Sequence, residues 1–206
     1  MDTSHKVAQA LLKIGAVKFV LDNPITFKSG IVSPVYVDNR IFPFNPSEWQ
    51  TVIEGFAELI QTNNLNAEII AGVEAAGIPH SSALGFLLKK PSVFVRKQAK
   101  DHGTKKLVEG GNVSGRKVVL VEDLVSTGIS SLSAVEMLRQ EGAVVSDCLV
   151  IVSYGFTSAK QAFKDAGVKM HSLTSFPVIL EEAKKQNLID EDGFKKIEAW
   201  FAEHSK

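Results

Sequence analysis

Cysteine is nearly absent from the 206-residue chain. The single thiol, Cys148, excludes an intramolecular disulfide framework and a cysteine-based zinc cluster, and it fits a reducing compartment. Net charge is absent too. Twenty-three Lys and Arg balance 23 Asp and Glu, so no global electrostatic case exists for nucleic acid or membrane, and any such case must be local. Long apolar runs are missing. Stretches such as 118–121 and 149–152 fall far short of the roughly 18 residues a spanning helix needs. The polar start Met1-Asp2-Thr3-Ser4-His5-Lys6 lacks a signal-peptide pattern, which points to a cytoplasmic protein. Neither Gly-x-x-x-x-Gly-Lys-Ser/Thr nor Gly-x-Gly-x-x-Gly occurs, so the two common nucleotide loops are excluded as simple matches. His5, His80, His171 and His204 show no metal-ligand spacing.

What is present is an ordinary globular composition, 45% hydrophobic and 22% charged, enough to bury a core in one domain. Apolar spacing predicts helices over 3–15 and 47–62, the second capped by Ser47. Four of the seven prolines fall within 24–46 and predict short strands and turns. From residue 67 the pattern alternates: strand 68–73, helix 78–88, strand 93–95, a polar segment 96–114, strand 117–121, helix 130–140 and strand 144–152. That alternation predicts a mostly parallel sheet flanked by helices. Two helices close the chain, one over 177–186 and one capped by Asp190. Cys148 falls in a strand and reads as a small core residue.

The chemistry concentrates after the strand at 118–121. Its apolar residues run into Glu122-Asp123-Leu124-Val125-Ser126-Thr127-Gly128-Ile129-Ser130: two acids, then a hydroxyl- and glycine-rich turn opening a helix. In open parallel sheets ligands bind beyond the carboxyl ends of strands. A helix N-terminus carries roughly half a positive charge and suits a phosphate. Glu122 and Asp123 would repel that phosphate. They make sense facing ribose hydroxyls, or the water shell of a magnesium ion. Ser130 alone reads as an ordinary helix cap, but two carboxylates beside an anion cradle have no packing rationale.

This string resembles the phosphoribosyl-pyrophosphate motif of the type I phosphoribosyltransferases. A second stretch, Arg96-Lys97-Gln98-Ala99-Lys100-Asp101-His102-Gly103, resembles the signature loop of the orotate phosphoribosyltransferase family. Residues 96–111 carry five basic and two acidic side chains, net +3, without an apolar period. They read as a mobile cationic lid. A third stretch, Thr26-Phe27-Lys28-Ser29-Gly30 with Ser33-Pro34, is similar to that family's N-terminal hood. Ala71-Gly72-Val73-Glu74-Ala75-Ala76-Gly77 fits its pyrophosphate loop, or a plain strand-to-helix turn.

The resemblance implies the type I phosphoribosyltransferase fold as one domain over 1–206. Its core would cover about 47–155, with a small hood from about 16–46 and parts of 153–206. It implies transfer of a phosphoribosyl group from phosphoribosyl pyrophosphate to orotate, giving orotidine 5′-monophosphate for pyrimidine synthesis. It also implies Mg²⁺ as cofactor, carried by the diphosphate near Glu122 and Asp123 without direct protein ligands. A homodimer follows, whose lid 96–111 acts across the interface, with no nucleic-acid or membrane partner. By resemblance Lys100 and His102 are catalytic. Arg96, Lys97, Lys100, His102 and residues Glu122, Asp123, Leu124, Val125, Ser126, Thr127, Gly128, Ile129 and Ser130 bind phosphoribosyl pyrophosphate. Lys28 and Ser126 contact orotate.

Ser126 is where the 6-oxopurine enzymes of the family carry Asp, a base for the purine N7. A substrate that is already an anion needs hydrogen bonds there instead. Two positions depart from the pattern. Ala76 replaces a lysine of the pyrophosphate loop. Ser153-Tyr154-Gly155-Phe156 replaces an Asp-Arg pair that contacts the orotate ring. Tyr154 is either a stacking surface for a pyrimidine or a half-buried residue at a strand end. A phosphoribosyl-pyrophosphate-binding regulator of nucleic acid is a second reading, opposed by zero net charge. Transfer to another base is a third.

Overall fold

The computed structural model describes residues 2–27, 30–96 and 107–205. Helix α1 (Thr3–Lys13) is capped by Asp2, whose carboxylate accepts from the His5 amide at 3.0 Å. Strands β1 (Val17–Phe19), β2 (Ile25–Thr26), β3 (Val32–Ser33) and β4 (Val35–Val37) follow, then a 3₁₀ helix over Asn39–Phe44. They form two small antiparallel ribbons, β1 with β4 and β2 with β3. Helix α2 (Pro46–Thr62) starts with proline, whose missing N–H costs nothing at a helix start. The cap position is Asn45, without a side-chain capping bond, so Ser47 lies inside the first turn and is not the cap expected of it.

A six-stranded sheet follows: β5 (Ile69–Val73), β6 (Ser92–Val95), β7 (Val108–Glu109), β8 (Lys117–Val125), β9 (Val144–Ser153) and β10 (Lys169–Ser175). Its order is β10-β9-β8-β5-β6-β7, and every pairing is parallel except β6 with β7. Helices α3 (Gly77–Leu88), α4 (Ile129–Gln140) and α5 (Thr157–Asp165) connect the strands, and α6 (Phe176–Lys185) and α7 (Glu191–His204) end the chain. This is the α/β architecture with a mostly parallel central sheet that the alternation predicted. All five residues of β5 are buried, the pattern of a strand covered on both faces. Val119 and Val121 join one core with Leu149 and Ile151, while Val118 and Leu120 join another with Cys148 and Val150. Asp190 caps α7 as expected, accepting from the Gly193 amide at 2.7 Å.

Two differences bear on the site. Strand β8 runs to Val125, beyond the expected end at 121, because β9 continues to pair with it through Val125↔Ser153. The neighbour on the other side, β5, stops pairing at Gly72↔Val121. Residues 122–125 therefore form a strand tip held on one edge only. The second difference is that α5 and β10, between the expected strand 144–152 and helix 177–186, had no counterpart in the sequence reading.

Candidate active site

The chain leaves β5 toward β6 on one side, while β8 pairs on the other. The sheet order thus reverses between β5 and β8, and such a switch point opens a crevice outside the strand ends. Both rims of this crevice carry residues singled out above. From β5 come Glu74, Ala75 and Ala76, with the Glu74–Ala75 peptide cis. From β8 come Glu122, Asp123 and Leu124. Together they line a cavity of about 290 Å³ with Asp38, Arg40 and Ser130. Close approach of the rims depends on Gly77, where an added Cβ would lie 2.5 Å from the Val121 carbonyl oxygen.

A second cavity, of about 270 Å³, is lined by Phe27, Leu124 and the turn 126–131. Leu124 and Ser130 belong to both walls, so the acid end and the turn are adjoining compartments. Gly128 sits at the helix cap with φ +81°, a conformation that strains any residue with a Cβ, and a Cβ there would also meet the Phe163 ring at 2.8 Å. The first amides of α4 have no side-chain cap. They are free to bind an anion in that compartment.

The two acids are not equivalent. Glu122 is only 5% exposed, and its carboxyl accepts from the Ser131 hydroxyl at 3.3 Å and the Asp123 amide at 3.1 Å. Burial, with Asp123 beside it, holds its pKa well above the ordinary carboxylate value. Asp123 is also raised by burial, while hydrogen bonds from Glu122, the Leu124 amide and Asn39 favour its ionised form. Of the two, Glu122 is the side held further toward its protonated form. Asn39, itself buried, donates its amide to the Asp123 carbonyl at 3.0 Å and fixes the one-edged tip.

The other expected site residues are distributed as follows. Ser126, Thr127, Gly128, Ile129 and Ser130 line the turn compartment, and Leu124 joins both compartments. Val125 lines neither. It is buried, and its carbonyl accepts from the Tyr154 amide at 2.9 Å. Arg96 is not in the acid cavity: it pairs with Glu109 at 3.1 Å and lines a separate hollow of about 210 Å³ that shares Ser130. Lys28, Lys97, Lys100 and His102 lie outside the described residues. Tyr154 is neither half-buried nor available to a ligand. It is fully buried, stacked on Phe176 at 5.0 Å between ring centroids, with Phe27 edge-on at 5.6 Å. Sequence reasoning missed Asn39 and Arg40, and it gave no role to Ser131, the helical hydroxyl that faces Glu122. Nothing in the pattern marked Asn39 or Arg40.

A parallel sheet with acids and an uncapped helix start at its switch point suits a phosphorylated sugar. The phosphoribosyl transferase domain family matches residues 45–183, and the chain belongs to it. Orotate phosphoribosyltransferase of Coxiella burnetii is 40% identical over 97% of this chain and 96% of its own length. The structure of orotate phosphoribosyltransferase from Aeropyrum pernix is 32% identical, with TM-score 0.76 over 87% of this chain and 98% of that one. Leishmania donovani UMP synthase gives TM-score 0.86 at 28% identity over 97% of this chain, which spans 42% of that longer chain.

Proposed function

We propose that this phosphoribosyltransferase joins orotate to phosphoribosyl pyrophosphate, releasing pyrophosphate and orotidine 5′-monophosphate, as a Mg²⁺-dependent homodimer in the cytoplasm. The observation that carries the reading is the tip of β8, which sets two carboxylates and an anion-binding turn against one crevice. The choice of orotate follows its relatives, orotate phosphoribosyltransferases that match nearly end to end.

The 5′-phosphate belongs in the turn compartment, on the amides and hydroxyls of 126–131. The ribose hydroxyls belong at Asp123 and Glu122, and the diphosphate in the acid cavity. Hard carboxylate oxygens suit magnesium. Among the described residues, however, no group of three or more His, Cys, Asp or Glu side chains could hold a metal alone. The ion would be carried by the diphosphate beside Glu122 and Asp123, where it neutralises charge. As the bond from the anomeric carbon to the diphosphate breaks, the bond to the orotate ring nitrogen forms, and positive charge develops on the ribose. The chain's work is positioning and charge neutralisation. Lys100 and His102 receive the departing pyrophosphate, with Lys97 and Arg96 beside them, and Lys28 and Ser126 hold orotate. The hood of 16–46 and parts of 153–206 closes over the base. The lid 96–111 serves the neighbouring subunit.

The test is orotate absorbance with phosphoribosyl pyrophosphate and Mg²⁺, run beside uracil, hypoxanthine and adenine. Loss of orotate that needs all three components supports the reading. Turnover of another base, or none, overturns it.

A further inference from the structure

The acid cavity holds an unexplained cation. Asp38, Glu74, Glu122 and Asp123 line it, and Arg40 is the one basic side chain among the described residues that do. Its guanidinium is held on one side. Nε donates to Asp38 Oδ1 at 2.6 Å, and Nη2 donates to Asp38 Oδ2 at 2.8 Å and to the Tyr36 hydroxyl at 2.7 Å. A guanidinium has five N–H donors, and these bonds use three. The two on Nη1 have no partner among the described residues. Asp38 lies only two positions away and the arginine side chain is 61% exposed, so as a surface pair it adds little to stability. Its geometric effect is larger: a bidentate carboxylate and a phenol fix a long side chain that would otherwise sample many rotamers.

The opposite rim supplies the second observation. The pyrophosphate loop Glu74-Ala75-Ala76 faces the same cavity and brings no basic side chain. A diphosphate placed there lies among the carboxyl groups of Asp38, Glu74, Glu122 and Asp123, so a fixed positive charge on the wall favours it. We infer that Arg40 is a diphosphate-binding residue, its Nη1 edge filling the role that Ala76 leaves vacant. The inference rests on the phosphoribosyl-pyrophosphate site proposed above.

The experiment is calorimetric titration of the full chain with inorganic pyrophosphate and, separately, ribose 5-phosphate, both with Mg²⁺. The wild-type chain binds both. Arg40→Ala weakens pyrophosphate by about 10- to 100-fold, as loss of a charge-assisted hydrogen bond does, and leaves ribose 5-phosphate unchanged. Adding Ala76→Lys to that variant recovers pyrophosphate binding. Should Arg40→Ala not fold, Arg40→Gln keeps a polar side chain without the charge and carries the same expectation. Unchanged pyrophosphate binding, or equal loss of both ligands, overturns the assignment while leaving the site standing. A wild-type chain that binds neither ligand overturns the site and the assignment together.

Discussion

The indole N–H of Trp200, in the last helix, donates to the Val32 carbonyl at 2.7 Å across 168 positions of sequence. Val32 belongs to the β2–β3 hairpin, which carries Phe27 into the wall of the turn compartment. The ring of Trp200 meets Tyr154, Phe156 and Phe176 edge-on at 5.9–6.3 Å. The C-terminal helix thus holds the hairpin through one hydrogen bond and an aromatic cluster. Trp200→Phe should keep much of the packing and lose the bond, costing about 1 kcal/mol in denaturant unfolding. The KM for orotate should rise several-fold with kcat little changed, read in steady-state assays.

Gly128→Ala places a Cβ at φ +81° and against Phe163. The expected cost is about 2 kcal/mol of stability, from backbone strain plus overpacking. Because the turn itself must shift, binding of ribose 5-phosphate should weaken by more than tenfold, measured by calorimetry.

Glu122→Gln should stabilise the protein. The folded-state pKa of Glu122 is raised, so the folded chain holds a proton that the unfolded chain releases near its ordinary pKa of 4.5. Its favourable contribution is complete below pH 4.5 and declines as pH rises toward the raised folded value. The neutral amide avoids that loss. Thermal unfolding should show variant and wild type converging in acid and separating toward pH 8, with the variant higher. Activity should fall, since the ribose contact changes.

His80 acts in the opposite direction. It is fully buried, accepts from the Trp49 indole at 2.9 Å, and burial lowers its pKa from 6.5 to about 4. Its contribution is complete above pH 6.5 and is lost as pH falls toward 4. The loss is between about 3 and 4 kcal/mol at about 1.4 kcal/mol per pKa unit. His80→Gln should flatten wild-type acid sensitivity in that window, seen by urea unfolding at pH 7, 5.5 and 4.

Lys100→Ala should lower turnover by a few orders of magnitude, with circular dichroism and the unfolding midpoint unchanged. A near-wild-type rate would remove this lysine from the mechanism.

The parts of the fold visible in the sequence are those where burial and periodicity agree. β5 is buried along its whole length, and α2 carries a continuous apolar stripe. Strand β10 reads Lys-Met-His-Ser-Leu-Thr-Ser, and its polar residues gave no signal. Edge pairing with β9, and the His171–Asp147 contact at 2.8 Å, accommodate side chains that an isolated pattern counts as loop. The site motif was legible because phosphate chemistry demands its residue types in contiguous order. Its extent was not. Two acids look like the end of a strand, yet ladder bonds to β9 and the Asn39 amide carry β8 on to Val125. Arg40 was invisible because its position depends on folding the Asp38 turn against the far rim. Tyr154 was misjudged for a similar reason: Phe176 from α6 and Trp200 from α7 cover it only after the chain closes.

The short antiparallel pairing of β6 with β7 fixes the two feet of the basic segment. Phe94 faces Glu109, Val95 faces Val108, and the Arg96 amide donates to the Leu107 carbonyl at 2.8 Å. The intervening ten residues, 97–106, start and finish at adjacent points on the sheet edge. In the dimer proposed above, where the segment between them serves the neighbouring subunit, the position of these feet on the sheet edge makes the subunit spacing a determinant of turnover.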